Sequence, residues 1–221
     1  MTADGKIANQ NRRVCSFSSA RDRLELFALR ATADAVMAGA RTVDSDRVDL
    51  GPGRERFRKA RLKRGLAEYN LRVVVSRLGS VDPRARVFQR RFSPIILLTT
   101  RKASASRLRK LRTVADEVKV CGATQVNLRR ALMWLRKKCG VKRLVCEGGG
   151  ELNDALFQAG LVDELRVTIC PVILGGREAP TLADGIGAAS LAKAARLQLQ
   201  SAKKVGGEMF LVFRARQGTE G

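Results

Sequence analysis

The chain has 221 residues, 45% of them hydrophobic, and a formal net charge of +22 at pH 7. That supports one sizeable core and excludes disordered, collagen-like and disulfide-scaffold classes. No apolar run reaches the roughly 18–20 residues that span a bilayer, and no basic-then-apolar leader opens the chain, so a soluble cytoplasmic protein is expected.

Short apolar strands alternate with amphipathic helices along the chain. Positions 21–32 carry Leu24, Phe27, Ala28 and Ala31 at helical spacing, with Ser19 or Asp22 available as a cap. Strands are expected at 35–37 (ending at Gly39), 71–75, 95–99 and 117–120. The charge-dense stretch 54–65 reads as a loop or surface helix. A helix at 127–138 places Leu128, Ala131, Leu132 and Leu135 on one face. A strand at 143–146 runs into a helix at 151–159, and Gly160 occupies the place of a left-handed C-terminal cap. A strand follows at 164–169. The tail reads as two strands, 196–203 and 208–215, joined around Gly206-Gly207. The alternation predicts an α/β fold with a mostly parallel central sheet flanked by helices. The C-terminal hairpin adds antiparallel strands at one edge. There is no internal repeat or long linker, so a single domain over residues 1–221 is expected.

The chain has no histidine. This excludes Ser-His-Asp and Cys-His catalysis and imidazole zinc sites. Chemistry falls to carboxylates, lysine, hydroxyls or a cofactor that carries the reactive atom. The five cysteines, Cys15, Cys121, Cys139, Cys146 and Cys170, include no CxxC pair and read as reduced thiols. No metal site is expected.

Positions 143–157, RLVCEGGGELNDALF, carry the strongest local signal. A buried strand enters three glycines and then a helix. Glycines let backbone N–H groups approach a ligand, and a helix N-terminus favours an anion. The spacing is neither GxGxxG nor a P-loop, and a ligand-free strand–helix turn has the same pattern. Positions 35–43, AVMAGARTV, repeat the physics, with Arg41 and Thr42 suited to phosphate oxygens. Two such turns at strand carboxyl ends favour a nucleotide cleft.

The segments TADGKIA (2–8), FSSARD (17–22), LRATADAVMAGARTV (29–43), VCEGGGELNDALFQAGLVDEL (145–165) and TICPVILGG (168–176) occur in that order. Together they resemble the reductase domain of riboflavin biosynthesis, in the dihydrofolate-reductase-like superfamily, over nearly the whole chain. The resemblance implies NADPH as cofactor and a phosphorylated pyrimidine as substrate, its ribosylamino group reduced to ribitylamino. It implies cofactor contacts at Thr42, Asp46, Ser76, Gly148, Gly149 and Gly150. It implies substrate contacts at Glu147, Arg30 (to the phosphate), Leu50 and Arg54. No catalytic proton donor is assigned, and a homodimer is the expected assembly. The family's apolar strand before the TADG segment is missing ahead of Met1, and its DDP reads Asp46-Arg47-Val48 here. The substrate stays open between the diamino-pyrimidinone and the amino-uracil. A reductase of the same fold acting on a pterin is an alternative. A basic RNA-binding protein is another, disfavoured by the 5% aromatic content, which leaves no stacking platform beside the basic run.

Overall fold

The computed structural model describes residues 1–12, 17–44 and 48–216. They form two compact units: Met1–Arg23 with Gly150–Gly221, and Leu24–Gly149. Helix α1 (Ala20–Arg30) spans the junction in the chain. Ser19 caps it, its Oγ accepting from the Arg21 and Asp22 amides at 3.1 Å.

The second unit is built on a five-stranded parallel sheet. Its strands are β1 (Ala35–Gly39), β2 (Leu71–Val75), β3 (Ile95–Thr99), β4 (Glu117–Val120) and β5 (Leu144–Cys146). The order is β4-β3-β2-β1-β5, with every pair parallel. β1, β2 and β3 are apolar almost throughout, as a strand covered on both faces must be. Helices α2 (Ala40–Asp44), α3 (Glu55–Leu62), α4 (Arg86–Gln89) and α5 (Ala105–Arg112) lie between strands that step across the sheet in one direction. Helix α6 (Leu128–Cys139) then carries the chain back from the β4 edge to β5, on the far side of β1. Asn127 caps it, Oδ1 accepting from Arg130 N at 2.9 Å, and it buries Leu128, Ala131 and Leu135. One core cluster joins Val36 and Ala38 of β1 to Val74, Ile95 and Leu97 of the neighbouring strands, with Val43, Leu50, Val87, Phe88 and Leu111 packed on it.

The first unit holds helix α7 (Gly150–Gln158) and strands β6 (Glu164–Ile169), β7 (Leu197–Val205) and β8 (Glu208–Ala215). The latter pair antiparallel in the order β6-β8-β7, turning at Gly206-Gly207, both with positive φ. Thr2 bridges Cys170 in parallel, and Asp4 accepts from the Leu174 and Gly175 amides. Those bonds and the Thr2 hydroxyl, the larger influence, hold the Asp4 carboxyl down at about 2.

Most expected elements occur within a residue or two of their expected bounds. The hairpin, however, does not extend the parallel sheet as an edge. β8 takes β6 as its partner over Glu164–Ile169, so the three strands form a sheet of their own. The stretch 54–65 is a helix, α3, that buries Phe57 and Arg61. Helices α2, α4 and α5 carried too few apolar positions to be read as helices. α5 is mostly basic and buries Leu111 alone.

Leu135 is fully buried whereas Met133 on the same helix is 53% exposed. Leu135→Ala is expected to lower unfolding free energy by about 2–5 kcal/mol. Met133→Ala should stay within about 0.5 kcal/mol. Urea denaturation followed by circular dichroism measures both.

Candidate active site

The site follows from strand order. β1 has β2 on one side and β5 on the other, although β5 comes last in the chain. Both strands are parallel, so their carboxyl ends lie side by side at the edge of the sheet where α/β proteins receive ligands. The two glycine-containing turns singled out in the sequence both lie there. They are joined by backbone hydrogen bonds: Gly39 N donates to Gly148 O at 2.7 Å, and Glu147 N donates to Met37 O at 2.8 Å.

The turn after β5 is formed by Gly148 and Gly149, with Gly148 at φ +83° and the peptide between them cis. A Cβ on Gly149 would lie 3.3 Å from Thr42 Oγ1, so any side chain there would crowd the hydroxyl of α2. The structure thus brings Thr42 and Gly149 together. Gly150 opens α7 in the first unit, where a Cβ would meet Asp184 Oδ2 and Thr181 O at 2.8 Å. Close packing accounts for glycine at that position. Ser76 follows β2 and is buried; its Oγ accepts from Ser80 N at 2.9 Å, which gives the hydroxyl a turn-forming task. Asp46 lies outside the described residues.

The expected substrate residues divide. Arg30 and Glu147, 117 positions apart, form a two-pronged ion pair: Nε to Oε1 at 2.5 Å and Nη2 to Oε2 at 2.6 Å. Arg30 Nη1 donates to Gly51 O at 2.6 Å and lies 3.8 Å from Asp49 Oδ1. Burial acts to weaken the Arg30 cation, and the Glu147 carboxylate overrides it, so its pKa stands above the ordinary arginine value. Leu50 is a core residue at φ +59°; its side chain is fully buried and its carbonyl accepts from Asn70 Nδ2 at 2.8 Å. Arg54 is exposed at the N-cap of α3 and makes no side-chain cap bond.

Sequence reasoning missed three residues that build this region. Arg61 is 1% exposed and donates to the carbonyls of Arg30, Ala33 and Ala67, closing the end of α1. Asn70 and Asp49 hold the loop that contains Leu50. Arg61 stands in a run of exposed cations, and nothing in its spacing sets it apart. Cys146 ends β5 beside the glycine turn, and burial pushes its thiol up to about 12. Among the described residues no cluster of three potential metal ligands occurs, and no helix is long and apolar enough to cross a membrane.

Known proteins place this architecture. A pyrimidine reductase-like protein of Corynebacterium diphtheriae superposes with a TM-score of 0.79 at 22% identity, over 99% of this chain and 90% of its own. A riboflavin biosynthesis reductase of Saccharomyces cerevisiae superposes with a TM-score of 0.69 at 14% identity, over 98% and 86%. These likenesses establish the α/β fold that the chain shares with them. The family model of the RibD C-terminal domain matches residues 1–211, and the chain belongs to that family. A 2,5-diamino-6-ribosylamino-4(3H)-pyrimidinone 5′-phosphate reductase of Methanothermobacter thermautotrophicus is 35% identical over 220 residues, 96% of this chain and 94% of that protein. A protein of the same name from Archaeoglobus fulgidus is 37% identical over 182 residues, 82% of each.

Removing one member of the buried pair strands the other. Glu147→Ala is expected to cost about 3–5 kcal/mol of stability through the uncompensated Arg30 cation. Arg30→Met combined with Glu147→Leu should recover part of that loss. Chemical denaturation of the single and double variants gives the comparison.

Proposed function

We propose that this chain is the NADPH-dependent reductase of 2,5-diamino-6-ribosylamino-4(3H)-pyrimidinone 5′-phosphate in riboflavin biosynthesis. The product carries a ribitylamino group in place of the ribosylamino group. The observation that carries the reading is the pairing of the two turns: Gly148–Gly149 and the Gly39–Thr42 segment meet at the carboxyl ends of the neighbouring strands β5 and β1. The names of the relatives from Methanothermobacter and Archaeoglobus support the diamino-pyrimidinone as substrate over the amino-uracil.

When bound, NADPH would supply the hydride for reduction at the sugar C1′ of the open-chain imine. The chain's own residues bind and orient. Backbone N–H groups of the Gly148–Gly149 turn and the Thr42 hydroxyl receive phosphate oxygens of the cofactor. The absence of a side chain at Gly149 leaves the approach clear. Glu147, held by Arg30 immediately before that turn, faces the substrate, where its two oxygens accept hydrogen bonds from amino or hydroxyl groups. With no histidine in the chain, no imidazole shuttles the proton that completes the reduction.

The test is a spectrophotometric assay of NADPH oxidation with the diamino-pyrimidinone and amino-uracil substrates in parallel. Turnover of the first, with the ribitylamino product identified by mass spectrometry, is the expected result. Turnover of dihydrofolate instead would move the chain to a pterin reductase. In thermal melts, NADPH is expected to raise Tm well above the effect of NADH, since a ligand that binds only the folded state stabilises it. Equal shifts with both would remove the preference for the phosphorylated cofactor. Gly149→Asp puts bulk and negative charge into the cradle and should abolish the NADPH shift, with circular dichroism showing that the variant is folded.

A further inference from the structure

The geometry points to a second binding site, at the amino ends of the parallel strands, for a zwitterionic α-amino acid with an apolar side chain. It lies wholly within the unit Leu24–Gly149. A cavity of about 480 Å³ opens there, a usual size for a small-molecule site. Asp34 enters it just before β1, Leu71 at the start of β2, Pro94 and Ile96 at β3, and Cys139 from the end of α6. Gly39, by contrast, ends β1, so the glycine turns stand at the opposite end of the same sheet. The cavity is therefore separate from the site built on those turns.

Two opposite charges face this cavity with bonding capacity unused. Arg61 lines it and is 1% exposed. Its Nε goes to Ala67 O and its Nη1 to the carbonyls of Arg30 and Ala33, while Nη2 bonds none of the described residues. A buried polar group without a partner is rare, and here the donor belongs to a cation. Asp34 accepts from the Lys142 and Arg143 amides through Oδ2, at 2.8 and 2.7 Å, and its Oδ1 has no partner among the described residues. The two charges are neighbours: burial pulls the Arg61 pKa down, and the Asp34 carboxylate works against that. Asp116 also lines the cavity, but its oxygens are taken by Ile95 N and Arg91. What remains is one cationic donor beside one anionic acceptor. An α-amino acid carries the counterpart of that pair on adjacent atoms, a carboxylate for Arg61 Nη2 and an ammonium for Asp34 Oδ1. It has no net charge, so the field of a chain at +22 does not oppose it as it would a free cation. A simple anion would stand against the Asp34, Asp116 and Glu117 carboxylates. Leu71, Pro94, Ile96 and the Tyr69 ring supply apolar walls for the side chain. Tyr69 is itself held between the Phe92 ring at 5.0 Å and the Arg58 guanidinium at 5.5 Å, so that wall is preformed.

Cys139 reports occupancy directly, because it lines the cavity and is exposed, whereas Cys121 and Cys170 are buried. The full chain is alkylated with iodoacetamide and the modification at Cys139 is followed by peptide mass spectrometry. L-phenylalanine is compared with hydrocinnamate and phenethylamine, each of which lacks one of the two charges. Calorimetric titration gives the Kd of L-phenylalanine. At about ten times that Kd, mass action predicts that alkylation of Cys139 slows by about tenfold. Neither analogue should protect at the same concentration. Asp34→Asn keeps a carbonyl for the Lys142 and Arg143 amides but removes the charge. Affinity should then fall on the order of tenfold to a hundredfold, the usual worth of a hydrogen bond to a charged group. Ala67→Phe, at an exposed position on the rim, fills the cavity and should abolish protection. Both variants should keep the parent's Tm shift with NADPH. The site is overturned if L-phenylalanine does not bind, if either analogue protects as well as it does, or if protection survives Ala67→Phe. Loss of the NADPH shift in either variant would overturn the separation of the two sites. If Asp34→Asn does not fold by circular dichroism, Ala67→Phe and the two analogues decide.

Discussion

The lateral pairing of β1 with both β2 and β5 is the constraint on which the site depends. β5 is three residues long and contributes little area, yet its register against Ala35–Met37 places the following Glu147 amide on Met37 O and Gly148 O on Gly39 N. Parallel strands present their carboxyl ends together. The turn after β5 and the turn after β1 are therefore delivered to the same place by backbone hydrogen bonds. Nothing about either turn alone would do this. The core residues Val36, Ala38 and Val74 keep β1 buried and its ladders dry, so the alignment is held by an apolar cluster of that unit.

Around this alignment the unit buries several cations, and each is handled differently. Arg30 is matched by Glu147 and stays firmly charged. Arg72, fully buried, donates to Val87 O, Ser93 O and Ser93 Oγ and lies over the Phe92 ring at 4.1 Å. Burial pulls its pKa down to about 10. Arg61 closes carbonyls at the end of α1. A buried guanidinium needs its donors satisfied far more than it needs a salt bridge. These arginines account for part of the high basic content as architecture. The rest lies on exposed faces such as those of α5 and α6.

How much of this was legible in the residues differs by level. Strands β2, β3 and β4 were read at their observed bounds because a β-branched or apolar run between Gly and Pro punctuation is a local signal. The cap of α1 was likewise local, Ser19 accepting from amides two and three residues on. The anion-binding character of the glycine turn was visible as composition, and its family resemblance came from the order of several short segments. The division of Arg30, Glu147 and Leu50 was not visible. A sequence resemblance treats each as a contact with substrate. Arg30 and Glu147 are partners of each other over 117 positions, and Leu50 is a core side chain.

The sequence by itself determined the class of fold, the place of the two turns at strand ends and the absence of imidazole chemistry. Each of these follows from local spacing or from composition. Only the tertiary structure decided that the hairpin joins β6 in a separate antiparallel sheet, that Arg61 is buried within a run of exposed cations, and that Arg30 is committed to Glu147 and Gly51. Those outcomes depend on which strand edge, cavity or carboxylate is within reach after the chain has folded. Pairwise distance across more than a hundred residues has no expression in local pattern.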